Sequence, residues 1–212
     1  VSARADVRAG QPCTQVETTW LPTAEVEKVI PGKVDGVTLE MEVLAEAKSH
    51  AELRAMLEEL PAAYASWIEG QARTPVEPHQ KEVLTGLLDN AGSVQRRIVD
   101  GLNALENEDV FLAFCLANRA MARAARARDT GKKLGDPRWR PFQLAFLLLN
   151  LRAMHEPSHH DRAVIDLLFF PTGGGKTEAY LGLAAFTLVL RRLRGEGMSG
   201  AGVSVIMRYT LR

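Results

Sequence analysis

The residues most able to do chemistry lie in the segment Phe170–Thr177, which reads FPTGGGKT. Glycine has no Cβ, so the run Gly173–Gly175 can bring consecutive backbone N–H groups close to an anion. The general phosphate-loop pattern is GxxxxGK followed by Ser or Thr, and only its first glycine is replaced here, by Phe170. The segment therefore predicts a site for a nucleoside triphosphate such as ATP, together with Mg²⁺.

Each residue of this loop has an expected role at the predicted site. Phosphate would be bound by the positive end of the following helix. It would also be bound by the backbone of Thr172, Gly173, Gly174 and Gly175. Lys176 would contact the β- and γ-phosphates and Thr177 would ligate Mg²⁺, which makes these two the candidate catalytic residues. The alternative is a glycine-rich turn that precedes Lys-Thr by chance.

Apolar runs on both sides of the loop predict the elements that position it. Ala163–Phe170 is apolar apart from Asp166, which is typical of a strand buried in a parallel sheet. Glu178–Arg194 is a strongly apolar helical segment, and Val203–Met207 has the composition of a second buried strand. A strand, loop, helix and strand in this order predict a βαβ unit.

The residues before the loop carry a mainly helical pattern. Val34–Val43 alternates and predicts a half-buried strand. From about Leu44 to Arg128 the apolar spacing is helical, with a predicted turn at Asn90–Gly92 and an N-cap at Asn107. A change of composition near Asp136 predicts two domains, a mostly helical region 1–136 and an α/β nucleotide-binding region 137–212.

Gln143 lies in Arg140–Gln143, upstream of the loop. Its amide can donate and accept hydrogen bonds at once, which matches the N6 and N7 edge of adenine. We expect Gln143 to contact the adenine base. The alternative is a polar residue that caps or decorates a buried helix.

Two further patterns have competing interpretations. His155–His159 matches HExxH as text, but Pro157 inside it would disrupt the regular helix that a zinc-protease site requires. A basic run from Arg119 to Arg140 could contact nucleic-acid phosphates or could balance the acidic stretch Glu40–Glu59, and the sequence favours neither.

Composition limits the class of protein. Lys and Arg total 26, as do Asp and Glu, so the net charge is zero and the total does not indicate nucleic-acid binding. The two cysteines, Cys13 and Cys115, form no CxxC pair and suit a reducing cytosol.

No apolar run approaches the roughly 18 residues of a membrane span, so no membrane association is expected. The first residue is Val1, and we expect the chain to be a piece of a longer protein.

Three segments together resemble the helicase subunit of the DISARM anti-phage system, a superfamily 2 helicase: Trp139–Leu151, Asp166–Phe186 and Val205–Arg212. Phe111–Met121 is also similar to that family. The resemblance implies a bacterial, cytoplasmic, ATP-dependent DNA motor that acts with other DISARM subunits. It also implies that a helical N-terminal region precedes a truncated RecA-like phosphate-loop NTPase domain.

The resemblance assigns further residues by motif. Gln143 takes the adenine role, and residues after the second predicted strand, Arg208, Thr210 and Arg212, take the DNA contact. No acidic DExH-type box follows, and neither an arginine finger nor a second motor domain is present, so this piece is not expected to hydrolyse ATP well by itself. The alternative functions are a phosphate-loop ATPase that switches or remodels proteins without moving on DNA, and a helical interaction module with a vestigial nucleotide fold.

Overall fold

The computed structural model describes residues 3–5, 10, 12–13, 16–18, 23–25, 32–128, 135–169, 174–195 and 197–208. The chain divides into two compact units, Val1–Ile30 and Pro31–Arg212. In the first unit, the strands β1 (Ala3–Ala5) and β2 (Val16–Thr18) pair antiparallel, with Arg4 opposite Glu17 in the backbone register.

The second unit begins with short helices that follow the predicted helical pattern. They are α1 (Met41–Ala45), α2 (His50–Leu57) and α3 (Glu59–Ala72). The Ser49 hydroxyl caps α2 by accepting from the backbone N–H of Glu52 at 3.2 Å. Proline is tolerated in the first turn of a helix, where Pro61 lies in α3.

Two long helices follow, α4 (Lys81–Ala104) and α5 (Glu108–Arg128). The predicted turn at Asn90–Gly92 is wrong, because α4 continues through it; one glycine costs a helix only about 1 kcal/mol. The predicted N-cap is confirmed: the Asn107 side-chain oxygen accepts from the backbone N–H groups of Asp109 at 3.2 Å and Val110 at 3.3 Å.

The last two helices are α6 (Pro141–His155) and α7 (Lys176–Arg194), and they pack against each other and against α4 and α5. Short 3-10 helices lie at Pro78–Gln80, His160–Ala163 and Gly197–Gly200. The largest fully buried side chains of the core are Phe114, Phe186, Leu44, Leu53, Leu57, Ile98, Leu105, Leu144, Leu147, Leu148, Leu151 and Val110.

The predicted RecA-like α/β domain is wrong for the part of the chain that the structure describes, which is nearly all helical. Residues 164–169 and 203–208 belong to no helix or strand and pair with no described strand. An apolar β-branched segment forms a strand only when a neighbouring backbone accepts its hydrogen bonds. Ile165 and Ile206 are instead 95% and 87% exposed. Phe170, the end of the first predicted strand, lies outside the described residues.

The predicted strand Val34–Val43 is also wrong, because α1 begins at Met41. The backbone N–H of Met41 donates to the Pro137 carbonyl at 2.9 Å, and Glu40 forms an isolated antiparallel bridge with Arg138. Met41 and Leu44 then enter the core at helical spacing. Helices before and after Asp136 contribute to one hydrophobic core, and the predicted boundary there stays a prediction.

Candidate functional site

Gly175 immediately precedes α7 and has a left-handed backbone, with φ +87° and ψ 23°. Glycine adopts this conformation without the steric penalty that a Cβ imposes. A Cβ on Gly175 would lie only 2.7 Å from Nε2 of Gln143 and 3.4 Å from a guanidinium nitrogen of Arg140. The last glycine of the run is therefore required by both its conformation and its neighbours.

The start of α6 supplies those neighbours. Pro141 occupies the first turn, and the Arg140 backbone N–H donates to Oε1 of Gln143 at 2.7 Å, which caps the helix. Nε2 of Gln143, a residue only 4% exposed, donates to the Gly175 carbonyl at 2.7 Å. The Arg140 guanidinium donates to the Gly174 carbonyl. Residues 32 and 34 positions apart in the sequence thus meet at one place.

Trp139 fixes the start of α6 relative to its neighbours. The indole is 2% exposed, and its Nε1–H donates to the buried Asn118 side chain of α5 at 2.6 Å. On α7, a Cβ at Gly182 would come within 2.6 Å of the same ring. The close approach that Gly182 permits lets one aromatic side chain hold α5, α6 and α7 together beside Arg140.

The two carbonyl contacts also orient backbone donors. In a trans peptide the C=O and N–H groups of one plane point in opposite directions. The Gly174 and Gly175 carbonyls point to α6, so the N–H groups of Gly175 and Lys176 point away from it. The first N–H groups of an α-helix are not used by the helix itself, so this end of α7 presents donors and a positive partial charge.

Charged side chains around the loop add to this positive potential. Arg140 contacts Gly174, Lys176 begins α7, and Arg128 lies 3.4 Å from Glu178 in the first turn of the helix. Cations at a helix N-terminus favour an anion there.

The predicted loop residues fall partly within the described region. Gly174 and Lys176 are half-buried, and Thr177 is exposed in the first turn of α7. Thr172 and Gly173 lie outside the described residues. Among the described residues, the two hydrogen bonds above use one amide N–H and one oxygen lone pair of Gln143. An amide has a second of each, and a donor with an acceptor is the pair of groups that an adenine edge requires.

The predicted DNA-contact residues are less fully placed. Arg208 is exposed and is one of the residues that line a groove along α7, as are Tyr180 and Leu183. Thr210 and Arg212 lie outside the described residues.

In the basic run Arg119–Arg140, described arginines form ion pairs with carboxylates of this chain. Arg126 forms ion pairs with Glu42 at 2.7 Å and Asp136 at 2.9 Å, and Arg138 lies 3.1 Å from Glu40. The hydrogen bond from Arg126 lowers the pKa of the Glu42 carboxyl. These contacts favour the interpretation that the basic run balances the acidic stretch.

The HExxH sequence match at His155–His159 does not place its two histidines on one helix. His155 is the last residue of α6, and His159 lies beyond the turn at residues 157–158. The intervening Pro157 cannot continue the hydrogen-bond pattern of the helix.

Sequence reasoning missed a buried ionic cluster formed by Arg97, Asp161 and Asp166. Arg97 of α4 is 8% exposed; its Nε lies 3.1 Å from Asp161, and its two terminal nitrogens lie 2.6 and 2.8 Å from Asp166. The hydrogen bonds to Asp166, more than the charge of Asp161, raise the pKa of Arg97 against the effect of burial. The one acidic residue in the apolar run 163–170 was the available signal for this cluster.

None of the helices in the described ranges is both long and apolar enough to cross a bilayer.

Fold and site together define a helical protein whose glycine-rich loop is held between the ends of two helices. No protein-family model matches the chain. The chain is 35% identical over 226 aligned residues to DISARM protein DrmA of Bacillus paralicheniformis, a match that covers 94% of this chain and 20% of DrmA. The chain therefore belongs to the DrmA family, as the resemblance predicted, and spans about a fifth of the length of that relative.

Proposed function

We propose that the chain contributes the nucleotide-binding site of a DrmA-type protein and that this site binds ATP with Mg²⁺. The observation that supports it best is the contact between the start of α6 and the glycine loop, where Gln143 and Arg140 meet Gly175 and Gly174. This contact places the candidate adenine-binding amide beside the candidate phosphate donors.

The residues present fit such a ligand. The backbone donors at residues 173–175 and the α7 terminus would bind the phosphates, Lys176 would lie against the β- and γ-phosphates, and Thr177 would ligate Mg²⁺. Gln143 would contact the adenine edge. When bound, the metal ion offsets the phosphate charge. The chain itself orients the backbone N–H donors. Gly175 is needed in this arrangement because a Cβ at that position has no room.

For the longer protein, we propose ATP-dependent movement on DNA as a cytoplasmic component of DISARM anti-phage defence, acting with other DISARM subunits. The relationship to DISARM protein DrmA supports the defence role. Arg208, Thr210 and Arg212 are the proposed contacts to the DNA backbone, because Arg and Thr side chains donate to phosphate oxygens.

Lys176→Ala tests the proposed site. In the full-length protein, ATP hydrolysis should fall by about 10²-fold or more, since the variant loses a cation that contacts the transferring phosphate. Lys81→Ala is the matched control, because Lys81 is an exposed lysine that also begins a helix, α4. Wild-type turnover by Lys176→Ala, in a preparation free of contaminating ATPase, would remove Lys176 from the site.

A second candidate function is an ATPase that switches or remodels proteins without moving on DNA. The ion pairs that occupy Arg126 and Arg138 favour it, because they reduce the charge available to phosphates. If the protein is a motor, single-stranded DNA should stimulate hydrolysis, and a duplex with a single-stranded end should be unwound. Hydrolysis that is indifferent to DNA would favour the switch.

A further inference from the structure

A second cluster of ionisable side chains lies in the turn that follows α6 and includes none of the residues assigned to the nucleotide. Nε2 of His160 lies 3.2 Å from Oδ1 of Asp161, and Nδ1 of His159 lies 3.7 Å from Oδ2. The two imidazole rings lie 4.4 Å apart, centroid to centroid. One ligand atom from each of the three residues falls within 4.8 Å of the other two.

The charge at this cluster is not balanced by its buried partner. Arg97 is the guanidinium that contacts both Asp161 and Asp166, so one positive charge faces two carboxylates. Arg97 takes Oδ2 of Asp161 and leaves Oδ1 on the side of His160. The Asp161 side chain is only 6% exposed, where a net negative charge is less well solvated than at the surface. A cation beside Oδ1 would offset that charge.

The donor set selects the kind of cation. Two imidazoles and one carboxylate suit Zn²⁺ and similar first-row transition metals, whereas Mg²⁺ and Ca²⁺ prefer oxygen ligands alone. With metal–ligand bonds of about 2.0–2.2 Å, neighbouring donors of a tetrahedral site lie roughly 3.3 Å apart. The 3.2 Å between Nε2 of His160 and Oδ1 of Asp161 already approaches that value. The 3.7 Å from Nδ1 of His159 is measured to Oδ2, the oxygen that Arg97 contacts, so His159 must shift toward Oδ1 to complete the site.

We propose that His159, His160 and Asp161 form a three-ligand site for a divalent transition metal ion, with Zn²⁺ as the representative ion. Arg97 holds the Asp161 carboxylate in place from the side opposite the metal, as partners of metal-bound carboxylates do. His160, whose side chain is 86% exposed, turns to close the site. Three protein ligands leave a fourth position for water or another ligand.

This site differs from the HExxH text, because it needs neither His155 nor Glu156. It also uses no residue of the glycine loop, so its existence does not depend on the proposed nucleotide function.

Zinc titration of the metal-free full chain by calorimetry tests the proposal, with His160→Ala as the informative variant. The His160 side chain is exposed, so its removal leaves the buried Arg97 cluster intact. His160→Ala should lose one zinc equivalent or bind it at least about tenfold more weakly, because one of three ligands is gone. His79→Ala, at an exposed histidine in another 3-10 helix, should bind as the unaltered chain does.

Cobalt substitution supplies a second readout, since visible absorption reports tetrahedral nitrogen and oxygen ligands directly. The cobalt spectrum of the unaltered chain should be lost in both His160→Ala and His160→Gln. Excess Mg²⁺ should not displace the bound ion. Equal zinc stoichiometry and affinity in His160→Ala would overturn the proposal, and so would an equal loss in His79→Ala.

Discussion

The helices α5 and α6 and the irregular segment 164–169 are all rich in apolar residues, but they differ in how those residues are placed. Phe114 of α5 and Leu147 of α6 are fully buried, whereas Leu167 and Phe169 are 86% and 89% exposed. A helix satisfies its backbone hydrogen bonds internally, and its apolar face then needs only another surface to pack against. A β-strand needs a second backbone as well.

The glycine loop lies where these two kinds of structure meet. It follows segment 164–169 in the sequence and leads into α7, and α6 holds it through Gln143. Its described geometry is therefore set by helix ends and not by the edge of a sheet. Arg97 supplies the corresponding link from α4 to segment 164–169, through Asp166.

The largest effect is expected for Arg97→Met, which breaks this link. Removing one partner of a buried ion pair leaves an uncompensated charge, and here Asp161 and Asp166 would both lose their guanidinium. The free energy of unfolding should fall by about 3–5 kcal/mol in urea titration. The matched control is Arg73→Ala, whose pair with Glu69 is 4.0 Å long and exposed, and which should cost at most about 0.5 kcal/mol.

If Arg97→Met lowers the free energy of unfolding no more than Arg73→Ala does, the buried cluster does not hold segment 164–169. The proposed link between α4 and this segment would then be wrong.

Two glycines of α4 allow a closely packed position and an open position to be compared within a single helix. A Cβ on Gly101 would lie 1.9 Å from the Leu148 carbonyl oxygen of α6, so Gly101→Ala should destabilise the fold by about 1–3 kcal/mol or more. Gly86 has nothing within 4 Å of its would-be Cβ, so Gly86→Ala should stabilise by about 0.5–1 kcal/mol. Thermal unfolding of both variants measures the difference, and effects of the same sign would show that α4 does not pack closely on α6.

A smaller effect is expected on DNA binding by the longer protein. Arg208→Ala should weaken the binding of single-stranded DNA. It should also reduce the salt dependence of that binding by the equivalent of about one phosphate contact. Replacing Arg123 and Arg126 together should do less, because Arg126 is paired with Glu42 and Asp136. Titrations at several salt concentrations decide this, and a larger loss from the pair would place the DNA contact on the helical body.

Local features were predictable from the sequence where the interactions are local. The cap at Asn107 and the helix ending near Arg128 follow from residue type and spacing within one segment. The strands were mispredicted because apolar alternation does not provide a pairing partner. Arg97 was missed because its partners lie 64 and 69 positions away, a distance that no local pattern encodes.

The candidate site divides in the same way. The glycines before Lys176 indicate a phosphate-binding loop from the sequence alone. Gln143 was predicted as a site residue from the chemistry of its amide. That Gln143 contacts Gly175, and that Arg140 contacts Gly174, follows only from the packing of α6 against α7.

The central claim is that the start of α6 and the glycine loop form one nucleotide site, and the most direct test compares ATP and GTP binding by Gln143→Ala. Loss of the contact to Gly175 would weaken both nucleotides equally, so the difference between them reports on the base alone. The account predicts that ATP affinity falls about 5–150-fold, or 1–3 kcal/mol, and that GTP affinity falls less. Asn150→Ala removes another buried amide of α6 and should leave the ratio unchanged. Equal losses for ATP and GTP would contradict the claim and leave Gln143 as a helix cap.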